Sequence, residues 1–143
     1  MIYLNQELNR DIVDSEKKNY TCLLGLFFSC SKNKSVNIYK TNQYLDFNEK
    51  DKIIGESVWK TSCFRCHMHG TNGANALDDK EYWNTTAEKG LEDLFKSVWE
   101  GKYGEEGAMP PKGLCPSCSE DQIEKSILYL FKLTELNESP DSL

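Results

Sequence analysis

The five residues from Cys63 to His67 read Cys-Phe-Arg-Cys-His, and no other stretch constrains this chain more. A Cys-x-x-Cys-His run is typical of a covalent attachment site for a c-type haem. Two thiols on one helical turn can reach the two neighbouring vinyl groups of one haem and form thioethers. The histidine that follows can bind the iron as the proximal ligand. The motif therefore predicts one covalent haem c, with Cys63 and Cys66 as its thioether residues and His67 as an axial ligand.

A haem iron held by His67 needs a sixth ligand or an open position, and Met109 is the candidate ligand. Pro110 and Pro111 follow it, and prolines fix the backbone dihedral φ and remove N–H donors. The resulting stiff, non-helical loop can present the thioether to the iron from the opposite face. A sulfur ligand raises the reduction potential relative to two histidines. The alternative is that Met109 is a core methionine in a proline-rich turn.

A second Cys-x-x-Cys pair, Cys115 and Cys118, has no histidine after it and is therefore not a second haem site. In an oxidising compartment we expect these cysteines to form a disulfide, which would stiffen the link between the methionine loop and the last helix. The closed loop is very small, so the entropic stabilisation should be limited.

A zinc ribbon is the alternative use of the four cysteines. The pairs at 63/66 and 115/118 supply four thiolates, which is a sound tetrahedral ligand set for zinc. The pairs are much further apart than the usual spacing of about 15–20 residues. Zinc ribbons also use hairpin strands, which the sequence does not predict, and this interpretation leaves His67 without a role.

Two further side chains are candidates for the haem pocket. Trp83 is most simply a core aromatic residue, although an indole N–H can also bond a haem propionate. Lys112 is most simply a solvated charge, but its position three residues after Met109 could bring it near a propionate.

The N-terminal region predicts export and attachment. Lys17 and Lys18 precede a short apolar run over residues 20–29, which is shorter than the roughly 20 residues that span a bilayer and suits a signal-peptide core. We interpret residues 1–29 as an export signal or N-terminal anchor. Phe-Phe-Ser-Cys-Ser at 27–31 resembles a bacterial lipoprotein cleavage box, so Cys30 is a lipidation candidate; an apolar segment with incidental cysteines is the alternative.

The remaining chain predicts a polar tether over residues 30–47, an all-α domain over 48–136 and a tail over 137–143. A first helix is expected from about residue 47 to 61. A second is expected after Thr85, where Thr-Thr-Ala-Glu fits a capping box, with an apolar face that continues to Gly101. Three glycines and three prolines predict a loop over residues 103–117, and Ser119 opens the last helix with another capping box.

Length and charge limit the function. A chain of 143 residues has room for one core. Its formal charge of −6 argues against nucleic-acid binding through a basic face and favours docking to basic patches on protein partners.

Together, these residues resemble a class I c-type cytochrome, specifically the small bacterial cytochrome c-5 type, over roughly residues 48–136. The resemblance is carried by the haem motif together with Gly55, Trp59, Trp83, the Met109-Pro110-Pro111-Lys112-Gly113 loop, Cys115 and Cys118. It implies four to five helices around one covalent haem, with the first and last helices crossing at Gly55. Asn75 departs from the family, which usually has a proline whose carbonyl accepts a bond from the ligand histidine.

The expected function is that of a monohaem, His/Met-ligated one-electron carrier between respiratory-chain proteins, and not an enzyme. Its partners would be a respiratory complex, an oxidase or a peroxidase, and not nucleic acid. We expect a monomer in the periplasm, which Cys30 could anchor to a membrane as a lipoprotein. Two alternatives stay open: a zinc module that binds a protein partner, and a fixed haem subunit of a respiratory complex.

Overall fold

The computed structural model describes residues 35–104 and 107–136. The expected export signal, Cys30 and the tail over residues 137–143 lie outside these residues. The fold is all-α, as predicted, with one minimal strand pair. The elements are α1 (Asn42–Leu45), α2 (Glu49–Val58), α3 (Phe64–His67), α4 (Lys80–Ala87), α5 (Leu91–Glu100), β1 (Lys102–Tyr103), β2 (Ala108–Met109) and α6 (Glu120–Leu136), with 3₁₀ turns at Ile38–Lys40, Thr71–Gly73 and Pro111–Leu114.

Helices α2 and α6 form the main packing interface, and they meet at Gly55. A Cβ atom added at Gly55 would lie 2.8 Å from Cβ of Tyr129 and 2.9 Å from the carbonyl carbon of Lys125. These separations are too short for carbon atoms, so only glycine permits this approach. The crossing of the first and last long helices at Gly55 is therefore confirmed.

Helix α2 delivers the haem motif without an intervening loop. Asn48 caps its first turn, because the Asn48 side chain accepts hydrogen bonds from the N–H groups of Lys50 and Asp51, and the Asp51 carboxylate accepts one from Asn48. The helix continues through one π-helical turn, Trp59–Cys63, directly into α3. Two cysteines and a histidine therefore share consecutive helical turns.

The structure corrects the tether predicted for residues 30–47, because residues 35–47 are part of the folded domain. Ile38 is fully buried, and Tyr44 is only 3% exposed. The hydroxyls of Tyr39 and Thr134 lie 3.2 Å apart, which joins this segment to α6. The segment consists of two single turns, and a single turn is too short to show a hydrophobic period.

The second expected helix is also corrected, because the chain forms two helices where one was predicted. Thr85 and Thr86 lie inside α4, which begins earlier because the Asp79 side chain accepts a hydrogen bond from the N–H of Tyr82. Helix α5 starts only at Leu91, without a side-chain cap. The expected loop over 103–117 also contains β2 and a 3₁₀ turn.

Helix α6 supplies the largest part of the core. Its capping box is confirmed: Ser119 Oγ accepts from the N–H of Gln122, and Gln122 Oε1 accepts from the N–H of Ser119. Its buried apolar side chains are Ile123, Ile127, Leu128, Tyr129, Leu130 and Phe131. One face of α6 packs on α2, and part of the same helix lines the cleft described next.

Candidate haem-binding cleft

One cleft brings together residues that are far apart in the sequence. Cys63, His67 and Met109 line it, and the space inside is about 750 Å³ when the open mouth is included. Its walls are largely apolar, with Tyr82, Trp83, Leu94, Val98, Ile127, Leu130 and Phe131 among them. An apolar cleft with a histidine and a thioether sulfur fits a haem.

The ring of His67 is fixed by a backbone contact. Its Nδ1 atom lies 3.1 Å from the carbonyl oxygen of Asn75. Because a carbonyl oxygen only accepts, Nδ1 carries the proton, and Nε2 keeps its lone pair for a metal. The ring also packs edge-to-face against Trp83, with centroids 5.6 Å apart. The backbone carbonyl of Asn75 therefore makes the contact that the resemblance assigns to a proline carbonyl.

Burial favours the neutral form of His67. Desolvation lowers the pKa of His67 below its usual value of 6.5, and the hydrogen bond to Asn75 only partly opposes this shift. The imidazole is therefore neutral at pH 7, which is the form that binds a metal ion.

The two motif cysteines carry thiols in different surroundings. Cys63 lines the cleft, and burial raises the pKa of its thiol to about 11. Cys66 is not among the lining residues, and its sulfur accepts a weak hydrogen bond from the Asn72 side chain at 3.8 Å. Both lie within about one helical turn of His67 along the chain.

Met109 is held by close backbone packing at the end of α5. It lies in β2, opposite Lys102 in β1. Gly101 joins α5 to β1 with a φ of +82°, and a Cβ there would lie 2.8 Å from the carbonyl oxygen of Met109. Glycine is needed at position 101 both for this backbone conformation and for this close approach. The backbone around the methionine is therefore tightly constrained.

Lys112 is not among the residues that line the cleft. Its ammonium group donates to the carbonyl oxygen of Cys118 at 3.2 Å and lies 3.7 Å from the ring centroid of Trp99. It therefore ties the methionine loop to α5. Cys115 and Cys118 are bonded to each other, with Cα atoms 5.4 Å apart.

Trp83 lines the cleft as expected, but its N–H is not available to a propionate. The indole N–H donates to the carbonyl oxygen of Ala76 at 2.6 Å. Trp83 is therefore a wall of the cleft and a support for the ring of His67.

Sequence reasoning missed the polar part of this cleft. Thr86, Lys89, Ser97, Lys102 and Ser126 also line it. They come from three helices, the turn after α4 and a strand, so no single sequence pattern groups them.

The described residues give no support to a zinc site. Over residues 35–104 and 107–136, no group of three or more His, Cys, Asp or Glu side chains could hold a metal ion. Cys115 and Cys118 bond to each other, so they cannot complete a four-thiolate set with Cys63 and Cys66. Within the same ranges, no helix has the length and apolar character needed to cross a membrane.

Comparison with known proteins gives one consistent family. The model of the family described as "Cytochrome C oxidase, cbb3-type, subunit III" matches residues 51–130. Cytochrome c-555 of Chlorobaculum thiosulfatiphilum is 30% identical over 80 residues, which cover 56% of this chain and 93% of that protein. Cytochrome c5 of Azotobacter vinelandii is 35% identical over 75 residues, which cover 51% of this chain and 86% of that protein.

The family match covers more than half of the chain, and it includes the helix that carries the haem motif and the loop that carries Met109. The relatives are similar over nearly their whole length, so the match concerns a complete small domain. The fold around the motif is all-α, as that family requires. The chain therefore belongs to the class I c-type cytochromes, small monohaem electron carriers that bind haem c covalently.

Proposed function

We propose that this chain is a one-electron carrier whose haem is attached through Cys63 and Cys66 and whose iron is bound by His67 and Met109. The observation that carries the proposal is that His67 and Met109 line the same cleft while His67 Nδ1 is engaged by Asn75. That arrangement leaves one imidazole nitrogen and one thioether sulfur as candidate axial ligands.

The bound haem would supply the one-electron chemistry, and the residues around it would determine its solvent exposure and its reduction potential. The apolar walls of the cleft exclude water and lower the local dielectric constant. A thioether ligand stabilises the ferrous state relative to a second imidazole, which raises the reduction potential. Because protein groups would fill both axial positions, the iron has no open position for a substrate. The protein therefore acts in electron transfer and not as an enzyme.

We place this carrier in the periplasm, with a redox protein of the respiratory chain as its partner. An oxidised Cys115–Cys118 pair suits an oxidising compartment. The formal charge of −6 suits docking to a basic patch on an oxidase, a peroxidase or a respiratory complex. The relatives' names carry no partner, so this assignment rests on charge and cofactor chemistry.

A lipid on Cys30 would hold the carrier close to the membrane. Folded structure is already present at Ile38. The eight residue-to-residue steps from Cys30 to Ile38 span at most about 29 Å when fully extended. A tether of this reach suits exchange with a membrane-bound partner nearby.

A fixed haem subunit of a respiratory complex is the second candidate, and the description of the matching family, an oxidase subunit, favours it. The two candidates differ in purification. A tethered carrier should be isolated alone and should reduce or oxidise an added partner, whereas a subunit should copurify with its complex.

A pyridine haemochrome spectrum combined with intact mass measurement tests the attachment site. The wild-type protein should carry one haem that survives denaturation, and its spectrum should indicate two thioethers. Cys63→Ser and Cys66→Ser should each shift the spectrum to that of a single thioether, whereas Ser62→Ala, next to the motif, should leave it unchanged. One bound zinc without haem in the wild-type protein would refute the proposal.

A further inference from the structure

Polar side chains that have no part in the proposed iron ligation also line the haem cleft. Thr86, Lys89 and Lys102 are among its lining residues, and none of the lining residues that the structure describes is an aspartate or a glutamate. We propose that these three residues bind the two propionate carboxylates of the haem, an inference that rests on the proposed haem site. Two cations in the cleft of an acidic chain match the two negative charges that a haem carries.

Thr86 gives the independent geometric support. Its side chain is only 4% exposed, and its Oγ1 atom is buried without a hydrogen-bond partner in the part of the chain that the structure describes. Buried hydroxyls are almost always hydrogen-bonded, because an unpaired one is costly. Ser126, another hydroxyl in the cleft wall, already donates to the carbonyl oxygen of Ile123. Thr86 is therefore a donor in the cleft wall that still needs an acceptor such as a carboxylate oxygen.

The two lysines supply the charge. Over residues 35–104 and 107–136, neither Lys89 nor Lys102 forms an ion pair with a carboxylate. Lys102 lies opposite Met109 in the strand pair, so one lysine sits beside the proposed iron ligand. Hydrogen bonds from an ammonium group to a carboxylate are among the strong ones in proteins.

Thr86 and Lys89 are held together at the end of α4. The N–H of Lys89 donates to the carbonyl oxygen of Thr86 at 3.1 Å. The residue before Lys89, Glu88, is fixed by the N-terminal segment: Ser35 Oγ donates to its backbone carbonyl at 2.8 Å, and the Asn37 side chain donates to its carboxylate at 2.8 Å. The turn that carries these two groups is therefore anchored before any ligand binds.

The first experiment measures the midpoint potential of the haem protein by spectroelectrochemistry at low ionic strength. Lys89→Gln and Lys102→Gln should each lower the midpoint potential, because an uncompensated propionate charge stabilises ferric iron. The ferric-to-ferrous ratio at a fixed applied potential should therefore rise several-fold. Lys96→Gln is the control, because Lys96 is an exposed lysine of α5 that does not line the cleft. An equal shift in Lys96→Gln, or no shift in either cleft variant, would overturn the lysine assignment.

The second experiment compares Thr86→Val with Thr86→Ser in the haem-loaded protein. Thr86→Val should shift the propionate carboxylate bands in redox-induced infrared difference spectra and lower the guanidinium midpoint of unfolding, while Thr86→Ser retains both wild-type values. If Thr86 has no acceptor, Thr86→Val removes an unsatisfied group, and the midpoint rises or stays the same, which contradicts the proposal. Intact mass distinguishes a failure of the proposed function from a failure of this inference. Wild-type protein without haem refutes the proposed function, whereas unchanged carboxylate bands in Thr86→Val with haem attached refute only this inference.

Discussion

The Nδ1 atom of His67 lies 3.1 Å from the backbone carbonyl oxygen of Asn75, the position at which the resemblance to class I cytochromes implies a proline. Every residue has a backbone carbonyl, so this hydrogen bond does not need the proline. What a proline would add is a fixed φ, which limits the conformations of the unfolded chain. The hydrogen bond that holds the His67 ring and the rigidity of the loop that carries Asn75 are therefore separable properties.

Asn75→Pro should stabilise the protein by about 0.4–1 kcal/mol, because it restricts the unfolded chain while keeping the carbonyl. The preceding residue, Ala74, has φ −78° and ψ 145°, which is the extended conformation that a following proline favours. Guanidinium unfolding measures the change, and Asn75→Ala serves as the control that should gain no such stability. A loss of stability in Asn75→Pro would show that the loop cannot accept the proline ring.

Ile38→Ala should destabilise the domain by about 2–5 kcal/mol, the usual cost of truncating a buried isoleucine. Ile38 is fully buried although it lies before the region that matches the family. Val36→Ala is the matched control, because Val36 is 56% exposed, and its effect should stay within about 0.5 kcal/mol. Equal effects of the two substitutions on the unfolding free energy would mean that residues 35–47 are not part of the cooperative fold.

The interface between α2 and α6 should weaken as the pH rises above about 10. Burial, followed by the charge of Glu56, raises the pKa of the Tyr129 hydroxyl above 10.0. Hydrogen bonds to Asp121 and then Asp51 raise the pKa of Lys125 above 10.5. The folded protein thus holds both protons more tightly than the unfolded chain. The stabilisation is complete below the unfolded pKa values and is lost as the pH rises through the folded ones.

Unfolding free energies measured between pH 8 and pH 11 test this predicted loss of stability with rising pH. Tyr129→Phe should lose less stability over that range than the wild-type protein, because it cannot ionise. Tyr103→Phe is the control, since Tyr103 is 81% exposed, and its profile should follow that of the wild type. Parallel profiles for Tyr129→Phe and the wild type would contradict the assignment.

Local patterns in the sequence predicted much of this fold and of its site. The Cys63–His67 motif follows a helix as expected, and the capping box at Ser119 opens α6. The motif and the proline-rich loop identified His67 and Met109, which do line one cleft. Each of these predictions depends on residues a few positions apart, where backbone geometry determines the outcome.

The errors concern contacts between distant parts of the chain. Lys112 offers a charge that could face a propionate, but its ammonium group lies against Trp99 and the carbonyl oxygen of Cys118. The indole N–H of Trp83 likewise donates to Ala76. A sequence shows which groups a residue can offer, whereas tertiary packing selects the partner. The burial of Ile38 is also a result of tertiary packing, because no local hydrophobic pattern in the sequence indicates it.

The near-infrared and visible spectrum of the oxidised protein tests the central claim, that His67 and Met109 bind one haem iron. The wild-type protein should show the weak sulfur-to-iron band near the red edge, and Met109→Ala should lose it and have a lower reduction potential. Met68→Leu is the matched control, because this methionine follows His67 directly but does not line the cleft, so it should keep the band. A band that persists in Met109→Ala, or that is absent from the wild-type protein, would contradict the account.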